Sequence, residues 1–282
     1  MPFTQHHLSF ALGSEIKGLD LSQTIDQPTI QALRKALAER GFLLFRNQDI
    51  TPEQHIAFTK QFGELQPHSL DHYLHPEYPE IFVVTNRLQN GKPSETRNTG
   101  REWHMDLTYT KTPCMGSLLH CKEIPSAGGD TLFASLYKAY DELSDGMKEV
   151  LGKLNAIHDF ANVSDLKNRT PESVKHLVEK NPPVTHPLVK EHPETRRKVL
   201  FFSDAVTSQI EGFSEEESQP ILDFLAKHTT RVEFTYRHQW QINDLIFWDN
   251  RCVIHMAPPD YDRNDPTEKR HMFRTTLKQS LA

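Results

Sequence analysis

YRHQWQINDLIFWDNRCVIH, residues 236–255, is the stretch on which the fold turns. Leu245-Ile246-Phe247-Trp248 is a short apolar run bounded by polar Asn243-Asp244 and by Asp249-Asn250-Arg251. A run of that length and composition predicts a fully buried strand. The polar corner ends it, and Cys252-Val253-Ile254-His255 resumes a strand-like pattern that carries a histidine. Working outward, GFLLFRN (41–47), IFVVTN (81–86), the neighbourhood of WHMD (103–106), SLLHCKEI (117–124), VTHPLV (184–189), KVLFFS (198–203) and HMFRTTL (271–277) read as further strands.

Helical signals are fewer. Ile30, Leu33 and Leu37 share one face over Pro28 to Arg40, and Gly41 supplies a stop. Thr51-Pro52-Glu53-Gln54 offers a capping-box start for a helix running to Phe62-Gly63. Leu136, Ala139, Tyr140, Leu143, Met147, Val150, Leu151 and Leu154 recur at helical spacing, which predicts one helix over 135–154. Another is expected over 214–228. Residues 161–183 are polar without a clear period and read as a lid or loop excursion. No repeat or linker divides the chain, so residues 1–282 are expected to form a single domain. Many strands, few helices and no βαβ alternation predict a mainly β (α+β) sandwich or barrel with peripheral helices.

Composition narrows the function. The 282 residues are 37% hydrophobic and 25% charged, as in an ordinary globular protein. Net charge is −6 with no basic stripe, so neither nucleic acid nor an anionic membrane is an expected partner. No signal peptide is apparent, no apolar run approaches bilayer length, and the three cysteines follow no disulfide or zinc spacing. A cytoplasmic protein with free thiols is the expectation.

Sixteen histidines raise the question of a metal. In an extended segment His104 and Asp106 project to one face, so both can reach one ion while Met105 points away. With a distant histidine they make a 2-His-1-carboxylate set, which suits oxygen-activating Fe(II) and leaves positions open. H-x-D alone is common by chance. His120, His158 and His186 compete for the third position, but each reads more simply as a core or surface histidine. His255 is preferred because it follows the buried strand and its polar corner, which could orient the metal-bearing segment.

WHMD (103–106), AGGDTLFAS (127–135), WDNRCVIH (248–255) and RHMFRTTL (270–277) together resemble the taurine/2,4-D (TauD/TfdA) dioxygenase family. The resemblance extends from FLLFRNQ (42–48) through FGEL (62–65) to the C-terminal arginines. It implies a distorted double-stranded β-helix, that is, a jelly-roll or cupin-like core. It also implies Fe(II) as cofactor, with 2-oxoglutarate and O2 as co-substrates. Arg270 matches the arginine that pairs with the far carboxylate of 2-oxoglutarate, and Thr131 matches the threonine that hydrogen-bonds it. Arg274 matches the arginine that takes a substrate's anionic group, and His68 falls where taurine-cleaving members place a sulfonate contact. Without the resemblance, Arg270 and Arg274 would read as a basic surface patch, Thr131 as an ordinary strand residue, and His68 as a loop histidine.

The implied reaction hydroxylates a C–H bond of a small anion, a sulfonate, carboxylate or aryloxyalkanoate, releasing succinate and CO2. The hydroxylated product can then collapse to a carbonyl compound. Ser164 and Val206 stand where taurine enzymes place pocket aromatics, and Gly100 where they place an asparagine, which argues against taurine itself. A homo-oligomer, dimer or tetramer, is the family expectation. The rival readings are a zinc-dependent hydrolase on the same ligands and a non-enzymatic β-barrel binding protein.

Overall fold

The computed structural model describes residues 2–66, 73–89, 91–163, 166 and 171–279. Its strands in chain order are β1 (Thr4–His7), β2 (Ser14–Lys17), β3 (Phe42–Phe45), β4 (Phe82–Thr85), β5 (Leu88–Gln89), β6 (Lys92–Pro93), β7 (Gly116–Glu123), β8 (Thr131–Ser135), β9 (Asn155–His158), β10 (Val184–Pro187), β11 (Val189–Glu191), β12 (Lys198–Leu200), β13 (Thr207–Ile210), β14 (Thr235–His238), β15 (Leu245–Asp249), β16 (Val253–Met256) and β17 (His271–Leu277). The helices are α1 (Gln27–Arg40), α2 (Pro52–Lys60), α3 (Leu136–Asp141), α4 (Asp145–Leu151), α5 (Pro171–Lys180) and α6 (Glu215–Thr229).

A seven-stranded sheet runs β1-β2-β3-β15-β7-β17-β4, and a three-stranded sheet runs β14-β8-β16. The two form a distorted double-stranded β-helix with the helices outside it. β15 lies between β3 and β7, antiparallel to both. Its unbroken apolar run follows from burial on both faces. Ile246 and Trp248 join Phe42, Leu44, Phe133 and Ile254 in one core. Leu245 and Phe247 join Leu43, Phe45, Ile30, Leu33, Phe58 and Phe62 in the other, under α1 and α2. Side chains alternate along each strand, so one sheet divides two cores. Phe42 stacks on Phe133 at 4.7 Å between ring centroids and ties β3 to β8.

Local signals set the helix ends. Gly41, with φ of 78°, caps α1 by donating its N–H to Leu37 O. Thr51 and Gln54 make the reciprocal capping box of α2.

Three expectations need correction. The helix over 135–154 is two helices, because the Ser144 hydroxyl caps α4 at Met147 N and starts a new axis. The excursion at 161–183 carries α5, whose apolar positions Val174, Leu177 and Val178 are only half-buried and are diluted by charge. WHMD is not a strand. His104 makes one isolated antiparallel bridge with His255, and the chain then turns at Leu107, whose φ is 56°.

Candidate active site

That bridge is the first element of the site. His104 N–H donates to His255 O at 3.0 Å, and His255 N–H donates to His104 O at 2.9 Å. The reciprocal pair holds the two histidines opposite each other, with ring centroids 4.2 Å apart. His255 lies in β16, which pairs with β8, so its position is set by the small sheet. Asp106 is placed by the polar corner after β15. The Asn250 side chain accepts from Asp106 N–H at 2.7 Å and donates to Asp106 O at 2.8 Å. Ser117 on β7 donates its hydroxyl to Asp106 Oδ2 at 3.1 Å.

The donor set fits a divalent cation. One donor atom each from His104, Asp106 and His255 lies within 4.8 Å of the others. His104 Nδ1 lies 2.8 Å from the carbonyl oxygen of Glu102. A carbonyl only accepts, so Nδ1 carries a proton, and Nε2 is the ring nitrogen turned toward Asp106, 3.8 Å from its Oδ1. His255 Nδ1 is buried without a hydrogen-bond partner. Burial, reinforced by His104, pushes the His255 imidazole well below its ordinary value, so it is neutral. Burial alone would raise the Asp106 carboxyl. The Arg274 guanidinium, 3.2 Å from Oδ1, acts with His255, His104 and the Ser117 hydroxyl to outweigh it, and together they hold the group below the usual carboxylate range. Two imidazoles and an ionised carboxylate make a donor set that a divalent metal takes.

A second cluster, His192, Asp249 and Cys252, has similar spacing but different chemistry. His192 Nδ1 accepts from the N–H groups of Glu194 and Thr195, so Nε2 carries the proton and donates to Asp249 at 3.1 Å. Arg251 takes both Asp249 oxygens, at 2.8 and 2.6 Å, and burial keeps the Cys252 thiol protonated. The cluster is closed on itself and braces the corner that carries Asn250. The other candidate histidines are also accounted for. His120 donates to Gln48 O, and His186 donates to Thr108 O and Thr110 O. His158 is buried against Phe201 and has a partner on neither ring nitrogen.

Above the triad opens a cavity of about 140 Å³. Phe82, Leu107, Tyr109, Phe160, Val163 and Val206 give it a largely apolar wall, Asn98, Thr99, Arg101 and Glu102 a polar stretch, and His104, Asp106 and Arg274 also line it. Arg274 is buried on β17, with its guanidinium 5.3 Å from the Phe82 ring centroid and its Nε unpartnered. Gly100, with φ of 76°, sits against His104, and a Cβ there would lie 3.1 Å from His104 Cε1. Val206 is a wall residue. Ser164 and His68 lie outside the described residues.

Arg270 immediately precedes β17, four residues from Arg274, and is also buried. It donates from Nε to Gly129 O at 2.9 Å and from Nη2 to Thr131 Oγ1 at 3.4 Å. Its backbone N–H donates to Asn86 Oδ1. No carboxylate among the described residues pairs with this guanidinium, leaving a buried cation directed by neutral acceptors. Trp240 Nε1 donates to the same Thr131 oxygen at 3.0 Å. The sequence reading missed Asn86, Ser117, Trp240 and Asp260, whose contacts span long stretches of chain and leave no local pattern.

The comparisons agree with this architecture. The description "Taurine catabolism dioxygenase TauD, TfdA family" matches residues 2–276. The alpha-ketoglutarate-dependent (that is, 2-oxoglutarate-dependent) 2,4-dichlorophenoxyacetate dioxygenase of Cupriavidus pinatubonensis is 32% identical over 284 residues, covering 96% of this chain and 95% of that protein. The alpha-ketoglutarate-dependent sulfate ester dioxygenase of Pseudomonas putida is 31% identical, covering 96% of this chain and 88% of that one. The crystal structure of a taurine dioxygenase from Burkholderia xenovorans superposes with a TM-score of 0.83 at 33% identity, covering 100% of this chain and 91% of that chain. With a family match over nearly its whole length and relatives above 30% identity, the chain belongs to the TauD/TfdA family of 2-oxoglutarate-dependent dioxygenases.

Proposed function

We propose that this protein hydroxylates a C–H bond of a small anion with an apolar body, using Fe(II), 2-oxoglutarate and O2. One observation carries the reading. Two imidazoles and an ionised carboxylate converge, and two of the three, His104 and Asp106, open onto a largely apolar cavity that also holds a buried arginine. In this reading His104, Asp106 and His255 hold the metal, and Arg270 with Thr131 takes the far carboxylate of 2-oxoglutarate. Arg274 receives the substrate's anionic group. Bound iron supplies the oxidising chemistry, in which 2-oxoglutarate is decarboxylated to succinate and CO2 and the substrate is hydroxylated.

The protein's contribution is position and exclusion of water. Arg274 anchors the anion beside Asp106, and the aromatic and aliphatic walls hold the rest of the substrate out of water. The apolar part of the wall favours a substrate with an aryl or alkyl body. If the hydroxylated carbon bears a sulfonate, sulfate or ether oxygen, the product collapses to a carbonyl compound. The zinc-dependent hydrolase reading gains no support, since the relatives described above are all named as dioxygenases. Among the described residues no helix is long and apolar enough to cross a membrane. A homo-oligomer remains the family expectation, checked by light scattering on the purified protein, and a cytoplasmic location is the reading of the free cysteines.

The test is succinate release from 2-oxoglutarate across a panel of aryloxyacetates, alkyl sulfates, alkylsulfonates and taurine. Asp106→Ala should lose bound iron and turnover together. Arg270→Ala should raise the 2-oxoglutarate requirement by at least about 30-fold, because a desolvated charge pair is worth about 2–5 kcal/mol. Full turnover by Asp106→Ala, or an unchanged 2-oxoglutarate requirement in Arg270→Ala, would sink the assignment of that residue.

A further inference from the structure

Arg270 is aimed by a turn, and that turn is itself held by an acid from another part of the chain. Gly128 and Gly129, both with left-handed φ (77° and 73°), make the tight entry to β8. A side chain at Gly128 would put its Cβ 2.3 Å from Asp260 O, so the turn packs directly on residue 260. The Asp260 carboxylate accepts from Gly129 N–H at 2.8 Å and from Asp130 N–H at 3.4 Å. The second of these belongs to the peptide group whose carbonyl, Gly129 O, accepts from Arg270 Nε at 2.9 Å. One peptide unit therefore lies between a carboxylate on its N–H side and a buried guanidinium on its C=O side. Such chains of hydrogen bonds polarise one another and fix direction. Arg237 closes the arrangement, donating to Asp130 Oδ2 at 2.6 Å and to Asp260 Oδ2 at 2.8 Å. Asp260 touches neither the triad nor the apolar cavity.

We propose that Asp260, tied by Arg237, is the positioning residue for the co-substrate arginine. It sets the Arg270 guanidinium through the Gly129–Asp130 peptide and so controls the affinity for 2-oxoglutarate, leaving the metal centre and the turnover of the loaded enzyme unaffected. The inference rests on the reading that Arg270 binds the far carboxylate, and the experiment separates the two.

Full-length protein with Mn(II) is titrated calorimetrically with 2-oxoglutarate, and KM and kcat are measured with Fe(II). Asp260→Ala should weaken 2-oxoglutarate binding about 10–100-fold, the range seen when a supporting hydrogen-bond partner is removed. Mn(II) affinity and kcat at saturating 2-oxoglutarate should hold. Asp260→Asn keeps an acceptor oxygen for Gly129 N–H but turns an amide NH2 toward Asp130 N–H and Arg237, so it should recover only a minor part of the loss. In the Arg270→Ala background, Asp260→Ala should cost less than 2-fold more. If Asp260→Ala folds poorly, Arg237→Gln loosens the same carboxylate from a half-exposed position and should raise KM for 2-oxoglutarate several-fold at constant kcat. If Arg270→Ala weakens 2-oxoglutarate and neither Asp260→Ala nor Arg237→Gln does, the inference fails alone. Additive losses in the double variant, or equal loss of Mn(II), also overturn it. If Arg270→Ala itself leaves 2-oxoglutarate affinity unchanged, the underlying reading fails.

Discussion

Removing the Asn250 side chain should damage the metal site without touching a ligand atom. Asn250 is buried and joins three backbone groups: it accepts from Asp106 N–H at 2.7 Å and donates to Asp106 O at 2.8 Å and Cys114 O at 3.4 Å. Asn250→Ala strands Asp106 N–H in a dry environment and leaves Asp106 O only the weak Cys114 thiol donor at 3.8 Å. A buried polar group left without a partner costs about 1–3 kcal/mol, so the stranded N–H and the weakened carbonyl together cost about 1–4 kcal/mol. That is a large part of the ~5–15 kcal/mol that holds a typical protein folded. Some of the cost will be avoided by a shift of the 105–107 backbone, and that shift moves Asp106 relative to His104 and His255. Metal affinity should then fall about 10–100-fold. Asn250→Asp is the sharper comparison, because it keeps the acceptor for Asp106 N–H but turns an oxygen toward two carbonyls. It should lose at least as much. Urea unfolding of metal-free protein reads the first effect, and Co(II) or Mn(II) calorimetry reads the second. If Asn250→Ala stays within about 0.5 kcal/mol of the parent and binds metal within 2-fold of it, the corner is not what places Asp106.

Two further predictions follow from single contacts. Gly100→Ala brings a Cβ to 3.1 Å from His104 Cε1 at a φ of 76°, and should cost about 1–2 kcal/mol of stability for the left-handed backbone while weakening metal binding. Unchanged Co(II) affinity would show that the His104 ring is free to move. Stability should also fall as pH drops from neutral. Burial holds His55 at about 3, His120 at about 4 and His158 at about 3, against ~6.5 when unfolded. Between those values the unfolded chain binds the extra protons, so the three together contribute a slope of about 4 kcal/mol per pH unit between about pH 6 and pH 4. Denaturant midpoints should be level from pH 7 to 8 and drop steeply below 6.5. His158→Phe should remove about a third of that slope, and a flat acid limb in the parent would refute the assignment.

What the sequence determined by itself is the part of the molecule governed by neighbours along the chain. Leu245–Trp248 and Phe42–Phe45 are legible as buried strands because a strand covered on both faces has no polar side to interrupt it. Thr51, Gln54 and Gly41 announce helix ends because capping acts within four residues. The break at Ser144 was equally local, and it was missed because the apolar period runs through it unbroken. Motif order along the chain carried the family, and with it the residues to examine.

The tertiary structure alone decided how those residues meet. His104 and Asp106 share a site through one bridge to His255 and a turn at Leu107, and not through a strand. Asn250 reaches Asp106 across 144 residues, and Asp260 reaches Gly129 across 131. A hydrogen bond between side chain and backbone has no period or composition, so nothing in the intervening residues encodes it. Likewise, the two metal-like clusters among the described residues have similar spacing and differ in residue type and in how fully their polar atoms are paired. His192, Asp249 and Cys252 are satisfied by Arg251 and two backbone N–H groups, while in the triad His255 Nδ1 has no partner and His104 and Asp106 line a cavity. That difference depends on close packing around each group, which only the folded chain supplies.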